Sequence, residues 1–406
     1  MHSNHPLAIL GAAPVFTEPL HVGRPNIGNR ARLLERINDI LDRCWLTNNG
    51  PYVQAFERRL QKYCGVAEVV ATCNGTIALE ILMRAVGLKG EVIVPSFTFV
   101  ATAHALQWQE IKPVFCDVDP ITHTLDPARV EELITPNTTG IVGVHLWGQP
   151  CDTDALEAIA KRHNLRMIYD ASHALGCTHQ GKQLGGFGAA EVLSFHATKV
   201  LNTFEGGAIL TNDRALAEQM RLMRNFGFES KDQVTFLGSN GKMSEVSAAM
   251  GLTGFGSLDD FFDANLRNHE IYTDGLRSHP GLRVLQAPEG EQSNHHYAVI
   301  EVNAEEAGLS RDQLVQVLEK ENVLARRYFY PGVHRMEPYR SYQPQAHLVL
   351  PVTEALCTSV MTIPTGQGVE AADAHSIVKI ILSALHRAEE VAAACRTQGE
   401  ASAIEE

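Results

Sequence analysis

The chain has 406 residues, of which 45% are hydrophobic and 20% are charged. These values are typical of a globular protein with a large core, and the length predicts two or three domains. The formal net charge of −13 argues against a nucleic-acid partner, because contacts to phosphates need a basic surface. No apolar run approaches the length of a membrane-spanning helix, so no membrane partner is expected.

The eight cysteines are spread along the chain without a CxxC pair. A chain of this length does not need disulfides to stabilise its core, and the N-terminus lacks the basic and apolar segments of a signal peptide. We therefore expect reduced thiols in a cytoplasmic protein, with neither a disulfide framework nor a metal site.

Along the chain, residues 1–28 contain several Pro and Gly residues and little periodicity, which predicts a segment that wraps over the body. Two amphipathic helices follow, and short apolar runs then alternate with helical ones as far as about residue 224. The predicted strands are residues 69–72, 92–94, 114–116, 141–144, 166–170, 192–195 and 208–210. Short runs with few alternating polar positions predict an α/β fold with a mostly parallel sheet sandwiched by helices.

The pattern changes after about residue 270. A strand is predicted at 296–302, a helix at 310–321 with Ser310 as its cap, a strand at 325–330, and a long final helix that includes 377–385. These elements predict a smaller α+β domain over residues 271–394, after a large domain over residues 29–270. The acidic tail, residues 395–406, is expected to fray.

Polar residues follow several predicted strands at the point where each strand ends. They are Asn74, Ser96, Asp170 and Ser194. Ligands of parallel sheets collect at the carboxyl ends of the strands. The sequence therefore predicts a binding site at this edge of the sheet.

The stretch 194–207, SFHATKVLNTFEGG, contains the candidate catalytic residue, Lys199. A primary amine condenses with an aldehyde only in its neutral form, and a pocket that desolvates the ammonium lowers its pKa. The Ser194 hydroxyl is within reach of a phosphate on the same ligand. Taken alone, the stretch favours a surface lysine before an ordinary Gly206-Gly207 turn, so the assignment depends on the other residues of the site.

Asp170 ends the predicted strand RMIYD. A carboxylate at this position suits the protonated pyridine nitrogen of pyridoxal phosphate (PLP), because it keeps the ring able to accept electrons. A helix-capping aspartate is the open alternative. His173 is a candidate to lie over the ring or to bond its phenolic oxygen, although a lone loop histidine is more often structural.

The sequence Asn74-Gly75-Thr76 opens a predicted helix after a strand. The free N–H groups of a helix start favour a phosphate, and glycine allows close approach, although capping alone explains the same pattern. Phe97 and Phe99 follow the strand at 92–94. One of them is expected to stack on the pyridine face and the other to pack in the core.

Taken together, these residues resemble those of the nucleotide-sugar aminotransferases, a family of PLP enzymes with the aspartate-aminotransferase-like fold, fold type I. The matching segments are CNGTIAL, VPSFTFVATAHAL, DASHALG, SFHATKVLNTFEGGAILTND, NGKMSEVSAAMG and RRYFYPGVHRMEPY. They follow the family's order between about residues 40 and 365, so the resemblance extends over most of the chain.

The resemblance implies a role for each candidate residue. Lys199 is expected to form the Schiff base with PLP and to act as general acid and base, while Asp170 pairs with the pyridine nitrogen. Ser194, Gly75 and Thr76 are expected to contact the phosphate. Phe99 is expected to stack on the ring, and His173 stands beside the phenolic oxygen, where many relatives carry Gln.

The resemblance also implies a homodimer with shared active sites. The stretch 238–245 precedes a helix of small residues, a pattern that suits a subunit contact as well as a core. Asn240 matches a residue that reaches the cofactor phosphate of the neighbouring subunit. Lys242 stands where many members carry Arg, and it lacks the bidentate fork of that residue.

The implied reaction is amino transfer in deoxysugar biosynthesis for an antibiotic or a polysaccharide. The dehydratases of the family carry His in place of the lysine, so Lys199 argues against that branch. FHATKVLNTFEGGAI and RYFYPGVHRMEPY are most similar to enzymes that aminate C4 of dTDP-4-keto-6-deoxyglucose. We therefore expect the amino group of L-glutamate to pass to this sugar, giving dTDP-4-amino-4,6-dideoxyglucose and 2-oxoglutarate.

Several alternatives remain open at this stage. A 3-keto sugar nucleotide or a keto-cyclitol as acceptor keeps every cofactor residue and changes only the pocket. A non-enzymatic sensor on the same fold is disfavoured by the intact set of Lys199, Asp170 and Ser194. The candidates for the lining of the sugar-nucleotide site are Tyr330, His334 and Arg335.

Overall fold

The structure, a computed structural model, describes the backbone of residues 5–404 and the side chains of residues 5–397. Its α-helices are α1 Arg30–Arg43, α2 Pro51–Cys64, α3 Gly75–Ala85, α4 Ala101–Gln107, α5 Pro127–Val130, α6 Thr153–Arg162, α7 Arg214–Met223, α8 Glu245–Phe255, α9 Leu258–Leu276, α10 Ala304–Ala307, α11 Arg311–Lys320, α12 Tyr339–Tyr342, α13 Pro351–Ser359, α14 Ala371–His386 and α15 Ala388–Ile404.

The strands are β1 Leu20–His21, β2 Glu68–Thr72, β3 Glu91–Pro95, β4 Lys112–Cys116, β5 Thr138–Val144, β6 Arg166–Asp170, β7 Thr178–His179, β8 Lys182–Gln183, β9 Glu191–Ser194, β10 Gly207–Thr211, β11 Phe228–Ser230, β12 Gln233–Val234, β13 Leu282–Val284, β14 Ala298–Val302, β15 Val323–Leu324 and β16 Val360–Ile363. None of the helices in the described part is long and apolar enough to cross a membrane.

The central sheet has seven strands in the order β2-β10-β9-β6-β5-β3-β4. β10 runs antiparallel to both of its neighbours, and every other neighbouring pair is parallel. The predicted α/β class with a mostly parallel sheet is therefore confirmed. The carboxyl ends of the parallel strands lie at one edge, which is where the predicted site residues follow them.

Both faces of this sheet are covered by helices. Within β10, Ile209 packs on one face with residues of α3, α4 and α7. Its neighbours Ala208 and Leu210 pack on the other face with residues of α2 and α8. Alternate residues of one strand thus enter two separate cores, as the period of a strand requires. An apolar run without polar alternation is the sequence pattern that this arrangement needs.

A second core lies in the C-terminal part of the chain. There the antiparallel sheet β13-β14-β16 packs against α9, α11, α14 and α15. The predicted helix at 310–321 is confirmed as α11, and the Ser310 side chain caps it in a capping box with Gln313. We propose that α9 joins two domains, because Leu258 and Phe261 pack beside the large sheet, whereas Tyr272 and Leu276 pack in the second core. The boundary at residue 270 stays a prediction.

The N-terminal segment contributes to the second core. Leu7 and Ile9 are buried there, and β1 pairs in parallel with β15. The backbone N–H groups of Ala8 and Val15 both donate to the Glu321 carboxylate, at 2.7 and 2.8 Å. This segment is therefore held by specific hydrogen bonds as well as by apolar packing.

Two predictions about the C-terminal part are wrong. Residues 325–330 do not form a strand, because the chain turns there: Tyr330 N–H donates to the Arg327 carbonyl and Gly332 N–H to the Phe329 carbonyl. The final helix is also not the last element. Helix α15 follows α14 and continues to Ile404, since Val391 and Cys395 are buried in the second core. The predicted fraying tail is thus helical as far as Ile404, and residues 405 and 406 lie outside the described residues.

Candidate active site

A cavity of about 390 Å³ lies at the carboxyl edge of the large sheet. Polar residues from the strand ends and from the start of α3 line one part of it. Aromatic residues from the C-terminal part of the chain, Tyr297, Tyr328 and Phe329, form its aromatic wall. The sequence-predicted residues that line it are Gly75, Thr76, Phe99, Asp170, His173, Ser194 and Lys199. The structure thus brings together seven of the eight predicted site residues.

Lys199 lies in the loop between β9 and β10. Its Nζ donates to the Tyr297 hydroxyl at 3.3 Å and lies 5.9 Å from the centroid of that ring. Burial lowers the pKa of Lys199 to about 8, and the charges of Asp170 and Tyr328 oppose this shift only in part. At pH 7 about one amine in ten is then neutral, against about one in three thousand for an ordinary lysine. The position therefore suits a nucleophilic amine.

This lowered pKa predicts the pH dependence of covalent attachment at Lys199. Because only the neutral amine attacks an aldehyde, the attachment rate should rise with pH and level off above about 8. The measurement is rapid mixing of cofactor-free protein with PLP, followed by visible absorbance over a series of pH values. Lys199→Ala protein is the control for reaction at other amines. A rate that keeps rising towards the pKa of a free lysine, about 10.4, would contradict the assignment.

Asp170 ends β6 and is buried. Its Oδ2 accepts a hydrogen bond from the Thr102 hydroxyl at 2.8 Å, and its Oδ1 accepts from the Ser172 backbone N–H at 3.0 Å. Two donors to one carboxylate fix its plane. Thr102 was not predicted from the sequence. The only feature that could have indicated it is that a polar residue occupies the buried face of α4.

His173 is held in one tautomer. The Trp147 backbone N–H donates to its Nδ1 at 3.2 Å, so the ring proton is assigned to Nε2. Burial, together with the charges of Lys199 and His296, keeps the pKa of His173 well below its usual range. The ring centroids of Trp147 and Tyr297 lie 5.9 and 4.5 Å away. His173 is therefore a neutral hydrogen-bond donor against the aromatic wall.

The opposite end of the cavity is formed by the start of α3. Asn74 caps this helix by accepting from the Ile77 N–H at 2.8 Å, and the first helical residues, Gly75 and Thr76, have N–H groups without partners inside the helix. Ser194 lies against them, and its hydroxyl accepts only a long bond of 3.4 Å from the His196 N–H. Free donors at a helix N-terminus of this kind are chemically suited to an anion.

Two glycines permit the close packing at this end. A Cβ on Gly75 would lie 3.1 Å from the Ser194 Cβ, and a Cβ on Gly207 would lie 2.6 Å from the Asn74 carbonyl carbon. Side chains at these positions would push the helix start away from Ser194. The close approach of the helix start to Ser194 thus depends on residues that lack a Cβ.

Phe99 and Phe97 have the two different environments that the sequence predicted for this pair. Phe99 is 57% exposed and lines the cavity, whereas Phe97 is fully buried between Trp147 and Phe329. An exposed phenyl ring at the mouth of a polar cavity is available to stack on a planar ligand.

The structure places Asn240 and Lys242 outside this cavity. Asn240 is exposed before α8, and its Oδ1 accepts from the Lys242 ammonium at 2.7 Å. The Lys242 Nζ lies 4.5 Å from the centroid of the Phe226 ring. Neither side chain lines the cavity of its own chain, so the role predicted for Asn240 depends on a second copy.

Three candidates for the sugar-nucleotide site do not line the cavity. His334 is buried, with its Nδ1 2.7 Å from the Ser96 hydroxyl, which also removes Ser96 from the cavity. Arg335 pairs with the Glu354 carboxylate. The guanidinium groups of Arg311 and Arg327 lie 5.7 and 5.3 Å from the centroid of the Tyr330 ring. Each of these side chains thus has partners within the chain and outside the cavity.

The cavity wall on that side consists of residues that sequence reasoning did not identify. One of them, Tyr297, immediately precedes β14. The others, Arg326, Tyr328 and Phe329, belong to the segment wrongly predicted as a strand. Burial raises the pKa of the Tyr297 hydroxyl, so this group stays a neutral phenol beside Lys199. The only feature of the sequence that could have indicated this wall is the group of aromatic residues at positions 328–330.

A helix-covered parallel sheet whose strand ends present a buried amine, a carboxylate and a helix start is the arrangement of an α/β enzyme that uses PLP. The model of the DegT/DnrJ/EryC1/StrS aminotransferase family matches residues 28–382. The chain belongs to this family and is a PLP-dependent sugar aminotransferase. The family suggested by the sequence motifs is thus confirmed.

Individual relatives agree with this assignment. The chain is 42% identical, over 79% of its length and 88% of the relative, to a dTDP-4-amino-4,6-dideoxy-D-glucose transaminase of Shigella dysenteriae. A crystal structure of DesI in the presence of its TDP-sugar product superposes with a TM-score of 0.92 at 45% identity, over 96% of this chain and 99% of that one. NtdA of Bacillus subtilis with bound cofactor PMP superposes with a TM-score of 0.79 at 28% identity, over 88% and 83%.

Proposed function

We propose that this enzyme transfers the amino group of L-glutamate to dTDP-4-keto-6-deoxy-D-glucose, giving dTDP-4-amino-4,6-dideoxyglucose and 2-oxoglutarate. The observation that carries the proposal is the buried Lys199 amine in one cavity with the Asp170 carboxylate and the start of α3. The choice of sugar is supported by the names of the Shigella relative and of the DesI complex. A cytoplasmic location stays a prediction of the sequence.

The residues present fit the cofactor by their chemistry. When bound, PLP supplies an aldehyde for a covalent link and a ring that accepts electrons. We assign Lys199 to the covalent link and Asp170 to the pyridine nitrogen. The N–H groups of Gly75 and Thr76 and the Ser194 hydroxyl are assigned to the phosphate. Phe99 would stack on the ring, and the Nε2–H of His173 would donate to the phenolic oxygen.

Proton transfer is assigned to Lys199 as well. With a pKa of about 8, its amine is able both to accept a proton from the Cα of glutamate and to return one near neutral pH. The Tyr297 hydroxyl holds Nζ from the aromatic wall, and so orients the amine during that exchange. No other residue lining the described cavity carries a primary amine.

Arg326 supports glutamate as the amino donor. This side chain is exposed and lines the cavity, and within residues 5–397 its guanidinium has neither a hydrogen bond nor an ion pair. An unpaired guanidinium in a chain with a net charge of −13 is suited to an anionic ligand such as a carboxylate. We therefore assign it to a carboxylate of the donor.

Replacing Arg326 with glutamine should raise the KM for glutamate by about 10- to 100-fold, because a charge-assisted hydrogen bond contributes about 1.5 to 3 kcal/mol. The measurement is the initial rate of 2-oxoglutarate formation over a range of glutamate concentrations. Arg327→Gln is the matched control, since the neighbouring Arg327 faces Tyr330 and Asp312 instead. A rise in the KM of the sugar nucleotide alone would assign Arg326 to the diphosphate and contradict the donor role.

We also propose a homodimer whose subunits share active sites. Asn240 is exposed and has no contact with the cavity of its own chain. Helix α1 packs on α8 through Leu33 and Ile40, while its other face exposes Leu34 and Leu41. An exposed apolar face of this kind favours a subunit contact. Light scattering of the purified protein measures its mass and tests the dimer.

The experiment that tests the function is a panel of acceptors. The enzyme is incubated with L-glutamate and either dTDP-4-keto-6-deoxy-D-glucose or its 3-keto isomer, and the amino sugar is identified by NMR. Amination at C4 supports the proposal. Turnover of only the 3-keto isomer would replace the acceptor but keep the enzyme class, and no turnover with any keto sugar nucleotide or keto-cyclitol would overturn the function.

A further inference from the structure

The backbone on both sides of Lys199 is held by side chains from distant parts of the chain. The Thr198 carbonyl accepts a hydrogen bond from His296 Nε2 at 2.8 Å. The Val200 carbonyl accepts one from Asn26 Nδ2 at 3.0 Å. Asn26 belongs to the N-terminal segment, and His296 lies two residues before the start of β14. The loop that carries Lys199 therefore lies between two fixed donors.

Asn26 makes a reciprocal contact with this loop. Its own backbone carbonyl accepts from Asn202 Nδ2 at 2.8 Å, so two hydrogen bonds join residue 26 to residues 200 and 202. Asn26 is 5% exposed and Asn202 is 3% exposed. Because both side-chain amides are buried, water does not readily replace a hydrogen-bond partner that is lost. The loss of one hydrogen bond therefore leaves a buried polar group unpaired.

The N-terminal segment also packs directly against the loop. Gly23 has a φ of +74°, and a Cβ at this position would lie 2.9 Å from the Thr198 Cβ. A side chain here would therefore displace either the segment or the loop. Close packing at residue 23 and hydrogen bonds at residue 26 fix the same few residues of the loop from one side.

The other side is fixed by consecutive residues, His296 and Tyr297. His296 holds the backbone at Thr198, and the Tyr297 hydroxyl accepts from the Lys199 amine. Burial lowers the pKa of His296 to about 3, so its ring is neutral and its Nε2–H is a constant donor. The amine and the backbone of one lysine are thus oriented together.

We propose that Asn26 is a positioning residue for Lys199, and that the N-terminal segment is a functional part of the site through this contact. The inference rests on the proposed role of Lys199. When Lys199 carries a proton its amine has to be free of any covalent link, and its position then depends on its backbone attachment together with the hydrogen bond to the Tyr297 hydroxyl. A shift of the loop carrying Lys199 by about 1 Å is enough to slow such a reaction by about two orders of magnitude.

The test uses Asn26→Asp, which keeps the size of the side chain and replaces the donor with an acceptor facing the Val200 carbonyl. We expect kcat of the glutamate half-reaction to fall by about tenfold or more while the KM for glutamate stays unchanged. The rate at which cofactor-free protein attaches PLP at Lys199 should fall in parallel. The second variant is Asn26→Ser, whose side chain adds no charge but is too short to donate to the Val200 carbonyl. It should also lower kcat and leave the KM for glutamate unchanged.

Asn29→Ala, three positions further along the chain, is the matched control. Asn29 caps α1 by accepting from the Arg32 N–H and, among the described residues, has no hydrogen bond to the loop, so this variant should keep both the half-reaction rate and the attachment rate. Wild-type rates in both Asn26 variants would overturn the proposal, as would an equal loss in Asn29→Ala. Borohydride reduction and peptide mapping of the wild-type holoenzyme test Lys199 separately, so a failure there is a failure of the proposed function instead.

Discussion

Replacement of Lys199 with alanine should slow conversion of glutamate to 2-oxoglutarate by at least about 10⁴-fold, because one residue supplies both the nucleophile and the general base. Among the described residues that line the cavity, Lys199 is the sole primary amine. No neighbouring lysine is therefore placed to take over either task. The measurement is 2-oxoglutarate formation in a single turnover of protein loaded with PLP.

Lys112→Ala is a matched control for this variant. Lys112 begins β4 and pairs with Glu91 on the surface, so its loss removes a lysine without affecting the cavity. Borohydride treatment should fix PLP to the wild-type and Lys112→Ala proteins and leave the mass of Lys199→Ala unchanged. Covalent fixation in Lys199→Ala, or single-turnover rates close to the wild type, would refute the assignment of the catalytic lysine.

The residues that sequence reasoning located are those whose position follows from local rules. Asp170 and Ser194 end parallel strands, and Gly75 and Thr76 open a helix after one, so the topology of the sheet alone brings them to one edge. Lys199 lies in the loop that follows Ser194. For these residues the periodicity of the strands and the order of the motifs were sufficient.

The residues that sequence reasoning missed act across long separations. Thr102 bonds Asp170 across 68 positions, and Tyr297 bonds Lys199 across 98. Such contacts depend on how α4 and the C-terminal part pack against the sheet, which neither propensity nor spacing specifies. The same limit applies to the sugar-site candidates Arg335 and His334, which are bound by Glu354 from another helix.

The wrong strand at residues 325–330 has a different cause. Its aromatic residues have high β propensity, but this preference reflects packing on a half-buried surface more than the backbone itself. In the fold Tyr328 and Phe329 find that surface in the cavity wall, beside Tyr297 and Trp147. Tertiary packing therefore overrides local propensity at a segment that forms part of the site.

Replacement of Asp170 with asparagine should lower kcat of the glutamate half-reaction by about 10³-fold, or about 4 kcal/mol of barrier. An amide of the same shape accepts the Thr102 or Ser172 hydrogen bond but carries no negative charge. Bound PLP would then lack a counter-charge at its pyridine nitrogen, which would make its ring a weaker electron acceptor. Because Asp170 does not face the bound amino acid in this assignment, the KM for glutamate should change little.

The comparison that makes this result specific is Asp154→Asn, an identical chemical change at α6, where the carboxylate accepts only from Gln180 on the surface. It should keep the wild-type rate. Thermal unfolding of both variants, each saturated with PLP, separates a loss of chemistry from a loss of fold. If Asp170→Asn retains the wild-type kcat while Lys199→Ala is inactive, the assignment of the covalent lysine is supported. The role of the Asp170 carboxylate as a counter-charge for the ring is then contradicted, and its burial against Thr102 would serve the fold alone.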